Sequence, residues 1–260
     1  MHYESAKMSG SSEIRLSKVP EVTLAFWIIK IGATTLGETG GDALSMTMNL
    51  GYAISTVIFF AIFIFTVAAQ VTSKSFQPFL YWAVIVATTT AGTTMADFAD
   101  RSLGIGYVGG SIILFTLLML VLGIWRLSLG SVSFDHIVSR KVEIFYWVTI
   151  LFSNTLGTAL GDFFADDSGL GYEGAALVFG GVLALVAAAY FYTKISQTIL
   201  FWAAFILTRP LGAALGDLLT KPMAKGGFNI SRISSSLIIA TFIAGCILFT
   251  SRRNKRQPGV

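Results

Sequence analysis

One sixteen-residue pattern, seen at residues 147–162 as WVTILFSNTLGTALGD, recurs four times and limits this chain more than any other feature. Trp27, Trp82, Trp147 and Trp202 each precede a glycine by ten residues: Gly37, Gly92, Gly157 and Gly212. Fifteen residues after each tryptophan stands an aspartate, Asp42, Asp97, Asp162 or Asp217, with a small residue just before it (Gly41, Ala96, Gly161, Gly216). Nine residues beyond each aspartate comes a further glycine: Gly51, Gly106, Gly171 and Gly226. No copy needs a gap, the mark of a repeat architecture. Successive tryptophans are 55, 65 and 55 residues apart, so the two halves are offset by 120 residues. A two-step duplication of one unit explains this. Equivalent positions of the four copies should then gather near one axis.

Composition sets the solvent. Of 260 residues, 54% are hydrophobic and 12% charged, with a mean hydropathy of +0.74, where a soluble domain carries about 25% charge. Uncharged apolar runs at 52–69, 107–125, 174–192 and 233–250 approach the ~20 residues that cross a bilayer. Each copy reads as two membrane helices in a tight hairpin, with spans near 22–43, 50–70, 79–98, 105–125, 143–164, 173–192, 198–219 and 233–250. The expected fold is an all-α polytopic membrane protein. Its eight transmembrane helices come from four tandem two-helix repeats, with pseudo-symmetry about the membrane normal. The divisions are a tail at 1–20, repeat 1 at 21–75, repeat 2 at 76–130, a central loop with repeat 3 at 131–195, repeat 4 at 196–250 and a basic tail at 251–260.

Residues 1–20 contain no apolar h-region, so the first membrane helix is expected to act as the uncleaved targeting signal. Orientation follows from charge. Lys7, Arg15, Lys18, Lys74, Arg126, Arg140, Lys141, Lys194, Arg252, Arg253, Lys255 and Arg256 fall on the side of the termini, against Arg101, Lys221, Lys225 and Arg232 on the other. The positive-inside rule then puts both termini in the cytoplasm. The tryptophans should lie at the cytoplasmic interface, and the aspartates about 22 Å deeper, at the external ends of their helices. Glu38, Asp100, Asp166, Asp167 and Glu173 make the external side acidic.

Positions seven, eleven and fifteen after each tryptophan share one helical face. They read Thr34, Glu38, Asp42; Thr89, Thr93, Asp97; Asn154, Thr158, Asp162; and Arg209, Ala213, Asp217. A polar stripe is costly in lipid, about 2.5–3.5 kcal/mol for a central Asp, so it should face the bundle interior or a water-filled cavity. The bland reading is that Thr and Asn bond across helices and each Asp caps a turn. The sharper one is that four equivalent carboxylates converge. Beside this stripe the small residues ten and fourteen after each Trp allow close helix packing. Lys30 is near enough to Trp27 to snorkel to the interface. Arg209, beside Pro210, needs a carboxylate at its depth, and Glu38 is the partner expected.

Enzyme signatures are missing: His2 and His136 lie in the tail and the central loop, and no His/Cys metal cluster, phosphate loop or Ser-His-Asp set is present. Cys246, the single cysteine, is read as a small apolar residue. No enzymatic activity, cofactor or nucleic-acid partner is expected.

Four tandem two-helix repeats, each with one Trp and a Gly-x-x-x-small-Asp ending, resemble a family of bacterial membrane proteins with no assigned activity. The resemblance covers residues 20–250 and implies eight spans and a bacterial cytoplasmic (inner) membrane; it implies no function. Residues 37–45, GETGGDALS, are also similar to the Glu-x-Gly-Asp motif of a manganese/calcium exchanger family, with an extra glycine and Ala43 in place of a base.

The reading reached is a transporter of cations, a divalent metal or a proton-coupled ion, since hard cations prefer carboxylate and hydroxyl oxygens. Asp42, Asp97, Asp162, Asp217 and Glu38 are the expected metal ligands or proton carriers. Thr34, Thr89, Thr93, Asn154, Thr158 and Arg209 are expected to line the path. The partners are the lipid bilayer and a small cation, and the reading is compatible with a homo-oligomer. The alternative is a non-transporting scaffold or sensor subunit whose polar stripes only pack helices.

Overall fold

The repeat closes into a ring. In the computed structural model, which describes residues 18–130, 132 and 139–256, eight long helices follow one another. They are α1 (Leu24–Asp42), α2 (Gly51–Thr72), α3 (Pro78–Asp97), α4 (Gly106–Leu129), α5 (Arg140–Asp162), α6 (Gly171–Tyr192), α7 (Gln197–Thr220) and α8 (Arg232–Arg256). Residues 1–17, 131, 133–138 and 257–260, and with them His2 and His136, lie outside the described residues. Local chemistry starts the helices. Thr23 and Ser139 accept hydrogen bonds from the backbone N–H of Phe26 and Val142, and Pro78 opens α3, where a missing N–H costs nothing.

The odd-numbered helices form the inner ring: α1 packs on α3, α3 on α5, α5 on α7, and α7 back on α1. The even-numbered helices lie outside it. The two helices of one copy barely touch. Each outer helix packs on the next copy's inner helix instead, α2 on α3, α4 on α5, α6 on α7 and α8 on α1. The tight hairpins expected from the short connections are thus replaced by an interlocked arrangement. Hydropathy sorts the two rings. The apolar cores of α3, α5 and α7 are 72% buried, those of α2, α4, α6 and α8 only 11–17%. Among the described residues, seven helices are long and apolar enough to cross a membrane. Lys30, Glu38 and Asp42 make α1 less apolar, yet it fills its place in the same ring. The protein is an all-α membrane protein of four tandem repeats.

Glycines explain how the ring closes so tightly. A side-chain carbon on Gly37 would lie 2.5 Å from Thr89 Cβ, and one on Gly157 would lie 2.5 Å from Arg209 Cγ. Gly92 faces Asn154 and Thr155, and Gly212 faces Thr34. In every case the glycine ten residues after the Trp receives the residue seven (or eight) after the next copy's Trp. The later glycine has a different reason: Gly51, Gly106 and Gly171 have φ of +73°, +74° and +67°, which only glycine adopts without penalty.

Five-residue π-helical turns, Ala43–Thr47, Phe98–Ser102 and Phe163–Asp167, follow the aspartate in copies one to three. The fourth copy differs. Lys221 and Pro222 end α7 in extended backbone and a short 3-10 turn, Met223–Lys225, precedes α8.

Candidate functional site: an acidic end and a buried axis

Position by position, the inner ring stacks its side chains in layers. At one end the residue before each Trp is aromatic: Phe26, Tyr81, Tyr146 and Phe201. Each packs on the next copy's tryptophan, Phe26 on Trp82 at 5.4 Å, Tyr81 on Trp147 at 5.7 Å, Tyr146 on Trp202 at 6.1 Å and Phe201 on Trp27 at 5.8 Å between ring centres. The Tyr81 and Tyr146 hydroxyls bond each other at 2.7 Å. All four of these aromatic residues are buried. Trp82, Trp147 and Trp202 are buried in the same layer, so their rings pack inside the bundle and do not face outward. The −1 aromatics escaped the sequence reading, although their recurrence was legible.

The next layer holds Lys30, fully buried, with its Nζ 4.1 Å from the centre of the Phe205 ring and 3.4 Å from Asn154 Oδ1. Snorkelling is therefore corrected: α1 points Lys30 at the axis, not at its own end. Asn154 Nδ2 donates onward to Thr88 Oγ1 at 2.9 Å.

Arg209 comes from the seventh position of copy four and is fully buried. Its Nη2 reaches Glu38 Oε2 at 3.1 Å, the pairing expected from the repeat. The same nitrogen donates to Thr158 Oγ1 at 2.6 Å and to Thr93 Oγ1. Thr93, Thr158, Glu38 and Arg209 thus meet at this level, while the Asn154 side chain stays with Lys30 and Thr88. Thr34 and Thr89 do not join them: their hydroxyls bond backbone carbonyls, Thr34 that of Thr208 at 3.0 Å and Thr89 that of Ala33 at 3.2 Å. For these two the packing role is the one visible.

All four aspartates are buried at the far end of the ring. One oxygen each from Glu38, Asp162 and Asp217 lie within 4.8 Å of one another. Asp42 and Asp97 are not part of this group. Bases that the sequence reading left in external loops hold the ring together. Arg101 Nε lies 3.0 Å from Asp97 Oδ1, and its Nη2 lies 3.2 Å from Asp162 Oδ2 and 3.6 Å from Asp166 Oδ2. Lys221 Nζ lies 3.1 Å from Asp217 and 3.2 Å from Asp42, which Arg232 Nε also reaches at 3.3 Å. Burial disfavours the Lys221 ammonium, but Asp217 and Asp42 outweigh that and hold its pKa above the ordinary lysine range.

Arg101 and Lys221 both follow their tryptophan by nineteen residues and are 120 residues apart, so they are mates under the half-chain duplication. That signal could have found them. A tyrosine twenty-five residues after the Trp, Tyr52, Tyr107 or Tyr172, also recurs in three copies. All three reach this end: Arg101 Nη1 donates to Tyr52 Oη at 3.3 Å, and Tyr107 and Tyr172 donate to Asp166 at 3.2 and 3.0 Å. The linked network sets six carboxylates (Glu38, Asp42, Asp97, Asp162, Asp166, Asp217) against four bases (Arg101, Arg209, Lys221, Arg232).

Among known proteins, no curated protein and no solved structure matches this chain. The family model described as a repeat of unknown function (DUF347) matches it four times, at residues 25–76, 80–130, 145–196 and 200–256. The four matches coincide with the four copies that build the ring, and the chain belongs to the DUF347 repeat family.

Proposed function

We propose that the protein is a carrier of small cations, working through the acidic end of its inner ring. The observation that carries this is the convergence of Glu38, Asp162 and Asp217, three buried carboxylates from three different copies, within 4.8 Å. One hard cation bridges such a spacing with small side-chain adjustments, its ligand oxygens lying at about 2.3–2.6 Å. The surplus of carboxylates over bases supports a cation rather than an anion. The lipid-exposed outer helices and the glycine-tight inner ring are suited to a membrane scaffold around such a site.

In this reading the aromatic layer is the closed gate on the Trp side, and Arg101, Lys221 and Arg232 are the displaceable cover on the Asp side. Arg209 stands between, withholding Glu38 from the ion until a cation or proton competes for it. The carried ion is a divalent metal or one exchanged against protons. The Trp side with both termini faces the cytoplasm of a bacterial inner membrane, as the distribution of basic residues favours.

A second reading has one observation in its favour: each of the four aspartates already faces a built-in base. That suits a non-transporting scaffold whose charges only lock helices. The test is uptake of manganese, calcium or protons by vesicles holding the purified full chain, with Glu38→Gln, Asp162→Asn and Asp217→Asn compared singly. Flux lost in at least one variant that still folds supports the carrier. Wild-type vesicles that move no cation, or three variants equal to wild type, would leave the scaffold reading.

A further inference from the structure

Arg101 occupies a cradle built for its own chemistry. Two of its nitrogens face Asp97 and Asp162 at 3.0 and 3.2 Å, Asp166 stands 3.6 Å away, and the third donates to Tyr52. The guanidinium carbon lies 6.0 Å from the centre of the Tyr52 ring and 5.7 Å from that of Tyr107. Carboxylates around the fork and aromatic rings near it are how proteins recognise a guanidinium group. Tyrosine rings do little for a hydrated metal ion, whose ligands are oxygens; they favour a weakly hydrated organic cation.

The occupant is placed at an entrance. The Arg101 side chain is 26% exposed, while those of Asp97 and Asp162 beneath it are 2% exposed. A further oxygen, Asp162 Oδ1, is buried there without a hydrogen-bond partner. The mate of Arg101, Lys221, fills the equivalent place between Asp217 and Asp42 with an ammonium. Both halves of the mouth therefore hold the side-chain form of an organic cation.

We infer that the cradle of Asp97, Asp162, Asp166, Tyr52 and Tyr107 binds guanidinium-type organic cations, with Arg101 as its resident, displaceable ligand. This rests on the carrier reading and names the class of cation its mouth admits. Asp162 also belongs to the deeper triad with Glu38 and Asp217. A guanidinium at the mouth and a coupling ion at the triad therefore share one carboxylate, which links the two.

The probe is methylguanidinium, used on the full chain in two assays. In detergent, the thermal transition of Arg101→Ala is titrated with methylguanidinium chloride against sodium chloride of equal ionic strength. The variant should bind methylguanidinium about tenfold more tightly than wild type, and adding Tyr107→Leu should weaken that by about fivefold. No response beyond that to sodium overturns the site. Should Arg101→Ala unfold when purified alone, it should be recovered folded in methylguanidinium; failure of that rescue overturns the site equally. In vesicles, wild type should take up methylguanidinium, or its cation flux should be inhibited competitively by it. Wild type that carries manganese or protons while methylguanidinium neither enters nor competes overturns this inference and leaves the carrier reading standing. Vesicles that move no cation refute the carrier reading itself, and the substrate role of the cradle falls with it.

Discussion

Consider the pair at the centre of the ring. Arg209 has no exposed surface and Glu38 almost none, and their charges meet at 3.1 Å. Arg209→Met removes the only base within ion-pairing distance of Glu38 among the described residues, leaving Thr93 Oγ1 at 3.5 Å. Removing one partner of a buried pair costs about 3–5 kcal/mol, because the remaining charge stays desolvated and uncompensated. Glu38→Gln should cost a similar amount, since Arg209 keeps the Thr93 and Thr158 hydroxyls but loses its counter-charge. The double variant buries neither charge and should be no less stable than either single one. The assay is unfolding of the purified protein by increasing sodium dodecyl sulfate, followed by tryptophan fluorescence, for wild type and the three variants. Costs that add within about 0.5 kcal/mol would show that the two side chains act independently. The claim that copy one and copy four are coupled through them would then be wrong.

Three further predictions use the same unfolding assay. Gly157→Ala would bring a methyl 2.5 Å from Arg209 Cγ and 3.0 Å from Pro210 Cδ, so it should cost about 1–3 kcal/mol; Gly181→Ala, which meets nothing within 4 Å, should be neutral or gain up to about 1 kcal/mol. Lys30→Met should raise stability by about 1–3 kcal/mol, because no carboxylate pairs with Lys30 among the described residues; a loss of stability would mean that its contacts with Asn154 and Phe205 outweigh its burial. Tyr81→Phe and Tyr146→Phe should each cost about 1 kcal/mol, and the double variant no more than either, since it leaves no orphaned hydroxyl in the aromatic layer.

The central ion pair and the close helix contacts are legible in the repeat itself. The repeat places Glu38 and Arg209 at neighbouring levels of two equivalent helices, and no other copy offers a charge there, so their pairing was foreseeable. The small residues ten and fourteen after each Trp announced close helix contacts. Lys30 was misread because spacing gives depth along a helix but not the direction a side chain takes around it. The tryptophans show the same limit: spacing gives their level along the helices but not that Trp82, Trp147 and Trp202 turn into the core. The tyrosines at position twenty-five and the bases at position nineteen were periodic and visible, yet nothing in their spacing said that they fold back onto the aspartates.

The sequence by itself determined the membrane class, the four-copy architecture, the length and order of the helices and the level of each charged group. These follow from composition, from the 1.5 Å rise per residue and from an ungapped period, all of which are local or additive. The tertiary structure alone decided that each outer helix packs on the next copy instead of its own partner. It also decided that Glu38 joins Asp162 and Asp217 while Asp42 and Asp97 do not, and that Arg101 and Lys221 each bridge two copies. Those outcomes depend on the register and rotation between helices far apart in the chain. Contacts between Gly212 and Thr34, or Lys221 and Asp42, exist only once copy four closes onto copy one.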